Sequence, residues 1–390
     1  MRSIELFSGA GGLALGLEAA GFEHLALVER NKDACATLRL NRPKWNLLES
    51  DVRKIDFSAF AGADLVAGGP PCQPFSIGGK AQGYDDLRDM FPQAVRAVRE
   101  IRPQAFMFEN VRGLLREGFR NYVEFVRLQL TYPDFPVSHN VTWETNLQRL
   151  QKHHTSIHRQ SGLSYQVSIH LADAADFGVP QRRHRVFFVG FRSDLNAKWF
   201  FPSTVASSRE LLRDKFVTGD YWFAHGMTTP ASTPLHLRAK VAELASEPAS
   251  LFHTPSRWKT VRDALSGLPH PKESSPFYNH SHQFGARSYP GHTGSSLDEP
   301  SKALKAGDHG VPGGENMLDY GNGKVRYFSV RESARIQTFP DDYVFSGSWT
   351  ESMRQLGNAV PVALAQAVAS SIHKHLKVIH VQRTRLQPAR

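Results

Sequence analysis

Short apolar segments alternate with segments of helical periodicity along the first half of the chain. Strands that alternate with helices in this way build a doubly wound, mostly parallel sheet with helices on both faces. We therefore predict an α/β fold. The predicted strands span residues 3–7, 25–29, 63–67, 105–108, 165–171 and 186–191, and the predicted helices span residues 13–20, 33–40, 92–101 and 121–130.

The third apolar segment runs into the stretch GGPPCQPFS at residues 68–76, which holds Cys72 between prolines. Pro70, Pro71 and Pro74 fix the backbone and remove hydrogen-bond donors, so the stretch belongs neither in a helix nor in the interior of a sheet. A stiff loop at the end of a strand is where α/β proteins present reactive groups. A buried structural thiol is the alternative, because free cysteines are usually inert. We interpret Cys72 as a candidate nucleophile.

The amino-acid composition limits which kinds of partner this protein can bind and in which cellular compartment it can work. The 390 residues carry a net charge of +10, which favours a polyanionic partner, with nucleic acid first. Only Cys35 and Cys72 are present, so neither a disulfide framework nor a thiolate zinc site is expected. No apolar run reaches membrane-spanning length, and the first residues do not resemble a signal peptide. We expect a protein of the reducing cytoplasm that does not contact membranes.

Three regions follow from changes in pattern along the chain. Residues 1–191 are predicted to form the cofactor-binding domain, interrupted by an insertion at about 131–160 with a helix near 143–151. Residues 192–300 lose the alternation and are predicted to form a smaller, irregular second domain. Residues 301–390 are predicted to form a hinge, helices at 330–337 and 360–375, and a basic tail at 374–390 without acidic residues.

A glycine-rich turn, FSGAGGL at residues 7–13, joins the first strand to the first helix. Glycines allow a sharp turn and close approach to a ligand, and the following helix N-terminus offers free N–H groups. Glu29 ends the next strand twenty residues after Gly9, a spacing typical of an acid that binds the ribose of an adenosine-type cofactor. The pattern fits a dinucleotide and S-adenosyl-methionine equally. A tight turn beside a solvated acid is the alternative.

Two further acidic residues and a basic cluster complete the set of candidate functional residues. Asp51 is placed to bond an adenine amino group, although a surface or capping acid is the simpler interpretation. Glu109 ends the fourth predicted strand, beside the strand that leads to Cys72, where an acid faces the ligand crevice. The cluster QRRHR at residues 181–185 lies between two strands and is interpreted as a site for phosphate or base oxygens, or else as a solvated turn.

As an ordered set, these motifs resemble the bacterial DNA (cytosine-5)-methyltransferases of restriction-modification systems. The resemblance covers residues 1–191 and 300–372 and implies a Rossmann-like, S-adenosyl-methionine-dependent methyltransferase fold with a target-recognition domain at 192–300. His184 departs from the pattern, because the family often has an acid there. The shared motifs are ELFSGAGG at the start of the chain, Glu29, Asp51, GGPPCQPFS, ENV at 109–111, QRRHR, RESARIQTFP at 331–340 and GNAVP at 357–361.

The resemblance implies a catalytic role for four residues. Cys72 would attack C6 of cytosine as a thiolate, and the activated C5 would take a methyl group. Glu109 would protonate or bond N3 and bond the exocyclic amine, while Arg183 and Arg185 would hold O2 and a nearby phosphate. The target base would have to leave the duplex. The loop residues Ser76, Lys80 and Arg88 would close over the DNA.

The resemblance also implies the binding residues. No metal is expected, and a metal site formed by the histidines at 153, 154 and 158 is the alternative. The candidate readers of double-stranded DNA are Arg257, Lys259 and Arg287, with Arg262, Asn279 and Gln283 as further possibilities. S-adenosyl-methionine, which leaves as S-adenosyl-homocysteine, would contact Phe7, Gly9, Gly11, Leu13, Glu29, Asp51, Val52, Pro71, Asn358 and Val360.

Three alternatives stay open at this point. A tRNA methyltransferase of the same fold is the first, and the absence of a cysteine after Cys72 argues against it. A non-catalytic DNA-binding homologue is the second, although both key loops are intact. A nicotinamide oxidoreductase fits Gly9, Gly11 and Ala14 but leaves the Cys72 loop unexplained. The preferred hypothesis is a sequence-specific DNA methyltransferase of a modification system that is a monomer and acts independently of any cognate restriction endonuclease.

Overall fold

The computed structural model describes residues 1–71, 89–138, 140–156, 162–247, 255–290, 293–307, 316–321 and 323–386, with side chains up to residue 382. The chain divides into two compact units. Unit 1 comprises Met1–Ala172, His184–Pro202 and Tyr343–Arg390, and unit 2 comprises Asp173–Arg183 and Ser203–Asp342. No helix in the described ranges is both long enough and apolar enough to cross a bilayer.

Unit 1 is built on a seven-stranded sheet in the order β3-β2-β1-β4-β5-β7-β6. Strands β1 to β5 run parallel, whereas β7 pairs with β5 in the antiparallel direction. The predicted α/β class with a mostly parallel sheet is confirmed. The strands are β1 (Arg2–Leu6), β2 (Glu23–Glu29), β3 (Leu47–Glu49), β4 (Leu65–Gly68), β5 (Ala105–Val111), β6 (Tyr165–Asp173) and β7 (His184–Arg192).

Helices cover the sheet because the central strands are apolar on both faces; every residue of β4 is buried. The main core combines strand residues such as Phe106 and Phe108 with Phe91 and Phe125 from the helices on one face. In this unit the helices are α1 (Gly12–Ala19), α2 (Lys32–Asn41), α3 (Phe91–Ile101), α4 (Arg120–Thr131) and α5 (Trp143–Thr155).

The predicted insertion at 131–160 contributes α5 to this core rather than a separate module. Trp143 lies edge-on to Tyr122 of α4, and Leu147 and Leu150 are buried. His154 bonds the Tyr132 hydroxyl at 2.7 Å and His153 packs edge-on against the same ring. His158 lies outside the described residues. The described part of the chain holds no group of three or more His, Cys, Asp or Glu side chains that could bind a metal ion.

Unit 2 has short strands and short helices. Its strands are β8 (Ala206–Ser207), β9 (Ser256–Arg257), β10 (Ser295–Ser296), β11 (Met317–Asp319) and β12 (Val325–Tyr327). Its helices are α6 (Ser208–Arg213), α7 (Asp220–Ala224), α8 (Arg238–Ser246), α9 (Val261–Leu265) and α10 (Val330–Ile336).

The last two helices return to unit 1. They are α11 (Trp349–Asn358) and α12 (Val362–Leu386), and α12 continues beyond the end expected at residue 375. A Cβ added at Gly16 of α1 would lie 2.4 Å from the Cβ of Ala365, so the two helices pack with their backbones close together. Glycine at position 16 is what permits this approach.

The unit boundaries differ from the predicted divisions at 191 and 300. Residues 192–202 stay with unit 1, where Trp199 donates to the Ser371 hydroxyl at 2.9 Å. Residues 301–342 stay with unit 2, where the side chain of Gln181 donates to that of Gln337 at 3.2 Å. Contacts between segments distant in the sequence thus accompany both shifted boundaries, and such contacts cannot be read from composition.

Candidate active site

The turn after β1 has the backbone that its glycines predict. Phe7, Gly9 and Gly11 have φ angles of 58°, 52° and 87°, and α1 begins at the next residue. Within the described residues, no side chain caps the N-terminus of α1. Its first N–H groups are therefore available to a ligand with a negative group, which this end of a helix attracts. Leu13 is buried beneath the turn.

Glu29 holds the glycine turn from the end of β2. Its Oε2 accepts the N–H of Gly9 at 2.8 Å, and its Oε1 accepts the N–H groups of Arg30 and Asn31 at 2.8 and 2.7 Å. A carboxylate has about four acceptor positions, so Oε2 retains one for a ligand hydroxyl. The carboxylate therefore positions the turn and keeps the capacity to bind a ribose.

The two glycines of the turn face different surroundings. A Cβ built at Gly9 meets no described atom within 4 Å, so this side of the turn is open. A Cβ built at Gly11 would lie 2.8 Å from Cδ2 of Leu38 and 2.9 Å from the hydroxyl of Tyr343. Gly9 therefore has no packing neighbour on this side among the described residues, whereas Gly11 is required by packing.

Asp51 and Val52 follow β3 at the same edge of the sheet. Hydrogen bonds from the Arg53 guanidinium hold the pKa of Asp51 well below its usual range. Val52 is buried, and its carbonyl accepts a hydrogen bond from Arg96 at 2.8 Å. Asp51 is thus a fixed, ionised acceptor, and it caps the short 3₁₀ turn that follows by accepting the N–H of Arg53 at 3.0 Å, as the simpler interpretation expects.

The segment after unit 2 comes back to this edge. The hydroxyl of Tyr343 is buried and donates to the Ala10 carbonyl at 2.7 Å, and Thr37 of α2 bonds Gln355 of α11 at 2.8 Å. Asn358 is the exposed last residue of α11, not the cap of the helix that follows, and Val360 is buried. Tyr343 was missed by sequence reasoning, because no pattern links it to the distant glycine turn.

Glu109 and Arg185 form a buried ion pair at the end of β5. Arg185 Nε lies 2.5 Å from Glu109 Oε1, and the two side chains are 12% and 9% exposed. Burial lowers the pKa of Arg185, and the Glu109 carboxylate opposes that shift. A Cβ at Gly69 would lie 3.3 Å from Oε2 of Glu109, so the carboxyl reaches the backbone three residues before Cys72.

Asn110 anchors the backbone that leads to Cys72. This buried amide donates to the Pro70 carbonyl at 3.0 Å, and the N–H of Met90 donates to the Pro71 carbonyl at 3.2 Å. Both ends of the stretch from 72 to 88 are thereby tied to unit 1. The ENV motif pointed to this position, but sequence reasoning gave a role to its glutamate alone. Cys72, Ser76, Lys80 and Arg88 themselves lie outside the described residues.

The other predicted residues lie in unit 2. Arg183 is buried and donates to the Leu304 carbonyl at 2.8 Å, so its guanidinium has a structural partner inside that unit. Arg257 pairs with both oxygens of Asp263 at 2.7 and 2.8 Å. Lys259 and Arg287 are exposed.

Glu5, the fourth residue of β1, was also missed. It is fully buried, and neither carboxyl oxygen has a hydrogen-bond partner among the residues described. Burial raises its pKa well above the usual value, and the nearby charge of Glu29 adds to the shift. The neutral form is therefore favoured, and negative charge at the turn is concentrated on Glu29.

Known proteins are similar in sequence to this chain over most of its length. The model of the C-5 cytosine-specific DNA methylase family matches residues 1–144 and 139–374. The type II methyltransferase M.NgoMIV of Neisseria gonorrhoeae is 35% identical over 379 residues, covering 96% of this chain and 98% of that protein. M.PspPI of a Psychrobacter species, also a type II methyltransferase, is 34% identical over 96% of this chain and 79% of its own length.

Solved structures share the fold at lower identity. The S. pombe Dnmt2 methyltransferase superposes with a TM-score of 0.54 at 16% identity, covering 97% of this chain and 99% of that one. The Entamoeba histolytica methyltransferase EhMeth gives 0.55 at 12% identity, covering 96% and 98%. The family predicted from the motifs is confirmed. The chain belongs to the C-5 cytosine-specific DNA methylase family and is a DNA cytosine-5 methyltransferase.

Proposed function

We propose that this enzyme methylates C5 of one cytosine within a short sequence of double-stranded DNA, through a covalent bond between Cys72 and C6. The observation that carries the proposal is the strand-end arrangement in unit 1. Glu109 lies at the end of β5 in contact with Arg185, and its neighbour Asn110 holds the Pro70 carbonyl just before Cys72. An acid, a guanidinium and the start of the nucleophile loop are thus gathered at one edge of the sheet.

The glycine turn fits S-adenosyl-methionine as the methyl donor. The open side of Gly9, the uncapped N-terminus of α1 and the remaining acceptor position on Glu29 suit its carboxylate and ribose. Asp51, Val52, Pro71, Asn358 and Val360 complete the proposed set. S-adenosyl-methionine supplies an electrophilic methyl group, which C5 accepts as S-adenosyl-homocysteine is released.

The protein's own residues account for the remaining chemistry. The thiolate of Cys72 adds to C6, because C5 of free cytosine is too weak a nucleophile. Glu109 shares a proton with N3 and accepts a hydrogen bond from the exocyclic amine, and the positive charge that the proton brings to the ring favours that addition. A base then removes the C5 proton, the C6–S bond breaks and the thiolate returns. The cytosine must leave the duplex for this, since its ring atoms are inaccessible in the stack.

Bisulfite sequencing tests the proposal. Plasmid DNA is prepared from a host without cytosine methylation, with and without this protein. We expect protected cytosines at one short recurring sequence. If the plasmid DNA were unprotected and tRNA in the same host were methylated, the substrate of the enzyme would be RNA and not DNA. The names of the relatives support a modification role, and we propose that the enzyme works as a monomer, separately from any endonuclease.

The two glycines of the turn provide a paired prediction. Gly9→Ala adds a methyl group on the open side, so we expect a loss of stability of only about 1–2 kcal/mol from the left-handed backbone but weaker cofactor binding. Gly11→Ala adds contacts below 3 Å to Leu38 and Tyr343, and we expect a loss of about 2–5 kcal/mol. Urea unfolding measures stability, and calorimetric titration with S-adenosyl-methionine measures affinity. An unchanged affinity of Gly9→Ala for S-adenosyl-methionine would mean that the turn does not contact the cofactor.

A further inference from the structure

One arginine of α3 holds the short turn that follows β3. Nη2 of Arg96 donates to the Val52 carbonyl at 2.8 Å, and Nη1 donates to the Ile55 carbonyl at 3.0 Å. These carbonyls belong to the first residue of the 3₁₀ turn Val52–Lys54 and to the residue that ends it. The donors of a guanidinium point in fixed directions, so two such bonds fix the orientation of the turn relative to α3.

The guanidinium of Arg96 is itself held on several sides. Its Cζ lies 4.4 Å from the centre of the Phe57 ring, which is fully buried. Its Nε donates to the side chain of Gln93 at 2.9 Å, and Nη1 lies 3.2 Å from a carboxylate oxygen of Glu100. The side chain is only 21% exposed. Turning it out into solvent would break all of these contacts, so it works as a fixed clamp on the turn.

The same helix supports a second stretch of backbone at the proposed cofactor site. The N–H of Met90, the residue before α3, donates to the Pro71 carbonyl at 3.2 Å. Phe91 at the start of α3 is fully buried and packs edge-on against Phe188 of β7, with ring centres 5.4 Å apart. Anchored in this way in the core of unit 1, α3 holds the backbone of both Pro71 and Val52.

We propose that Arg96 is a positioning residue for the methyl donor, because its clamp on the turn sets where Asp51 and Val52 meet the adenine ring. This inference rests on the proposed function, which names both residues as cofactor contacts, and adds the source of selectivity for adenine. The carboxylate of Asp51 accepts a hydrogen bond from the amino group of adenine. Hypoxanthine has an oxygen at that position, which a carboxylate held in place repels.

Two substitutions of Arg96 test the proposal against a matched control. Arg96→Met removes both bonds and keeps an apolar side chain beside Phe57, and Arg96→Lys keeps the charge but lacks the fork of donors. The control is Arg99→Met on the same helix, because Arg99 is 47% exposed and lies 3.9 Å from its partner Glu100. Calorimetric titration measures the affinity for S-adenosyl-homocysteine and for its analogue with hypoxanthine in place of adenine.

We expect the wild type and Arg99→Met to bind the adenine compound about 10- to 100-fold more tightly than the hypoxanthine compound. In Arg96→Met this ratio should fall to nearly one, mainly through weaker binding of the adenine compound. Arg96→Lys should give an intermediate ratio. A general loss of folding would lower both affinities by the same factor and leave the ratio unchanged, so the ratio separates positioning of the adenine from stability.

The proposal would be overturned by a wild-type ratio in Arg96→Met, by an equal fall of the ratio in Arg99→Met, or by a ratio near one in the wild type itself. If urea unfolding showed that Arg96→Met does not fold, Arg96→Lys would decide, and a wild-type ratio in that variant would overturn the proposal. Wild-type protein that bound neither compound would instead contradict the cofactor site of the proposed function.

Discussion

Replacing Cys72 with alanine is expected to reduce methyl transfer by at least about 10⁴-fold, because the variant lacks the only nucleophile in the proposed mechanism. Duplex affinity should stay within a few-fold, since the small side chain contributes little to the DNA-binding surface. The rate is measured with tritiated S-adenosyl-methionine and a duplex that carries the methylated sequence. Methyl transfer by Cys72→Ala at the wild-type rate would contradict the covalent mechanism.

The chain offers its other cysteine as the control. Cys35 is fully buried in α2, its thiol donates to the Glu29 carbonyl at 3.6 Å, and burial raises its pKa to about 12. It therefore stays a thiol at neutral pH and cannot act as a nucleophile. We expect Cys35→Ala to keep methyl transfer and to lose about 1 kcal/mol of stability. A duplex with 5-fluorocytosine at the target should trap a covalent complex with Cys35→Ala and none with Cys72→Ala.

Glu109→Gln is expected to slow methyl transfer by about 10²- to 10⁴-fold while duplex affinity changes little. Glutamine keeps the size of the side chain and its ability to bond the base, but it cannot take or give a proton in the reaction. The measurement is a single-turnover rate at saturating duplex, alongside the duplex Kd. A large rise in Kd with an unchanged rate would make Glu109 a structural residue.

The ion pair with Arg185 adds a second, separable effect. Removing one partner of a buried pair leaves an uncompensated charge and typically costs about 3–5 kcal/mol. Urea unfolding should therefore show a loss of stability in Glu109→Gln. Glu109→Gln combined with Arg185→Met should recover much of that stability without recovering the rate. Recovery of both would mean that the slow rate had come from poor folding alone.

Sequence reasoning worked where function depends on local chain geometry. The twenty-residue spacing between Gly9 and Glu29 spans a helix and a strand, and the structure joins the two residues by a 2.8 Å hydrogen bond. Glu109 was expected at a strand end beside the strand leading to Cys72, and β5 does pair with β4. Alternation of strands and helices sets such positions, so they can be read from the sequence.

Sequence reasoning failed where residues that are distant in the sequence come into contact. Nothing in the pattern brings Tyr343 to the Ala10 carbonyl, because that contact depends on how the chain returns after unit 2. The cluster QRRHR was treated as one group of charges. In the structure β7 starts at His184, so Arg185 lies in the sheet of unit 1, while Arg183 is bonded to Leu304 inside unit 2. The different surroundings of these two arginines, which are only two residues apart, are set by tertiary structure.

The close packing of α1 against α12 has a consequence during synthesis on the ribosome. Ala365 follows Gly16 by 349 residues, so the face of α1 that packs against α12 lacks that cover until α12 has been made. At about 5–20 residues per second, the interval is roughly 20 to 70 s. The nascent enzyme exposes apolar surface throughout that time, which makes it a natural client for chaperones. Premature termination before residue 362 would leave that face of α1 without α12 against it.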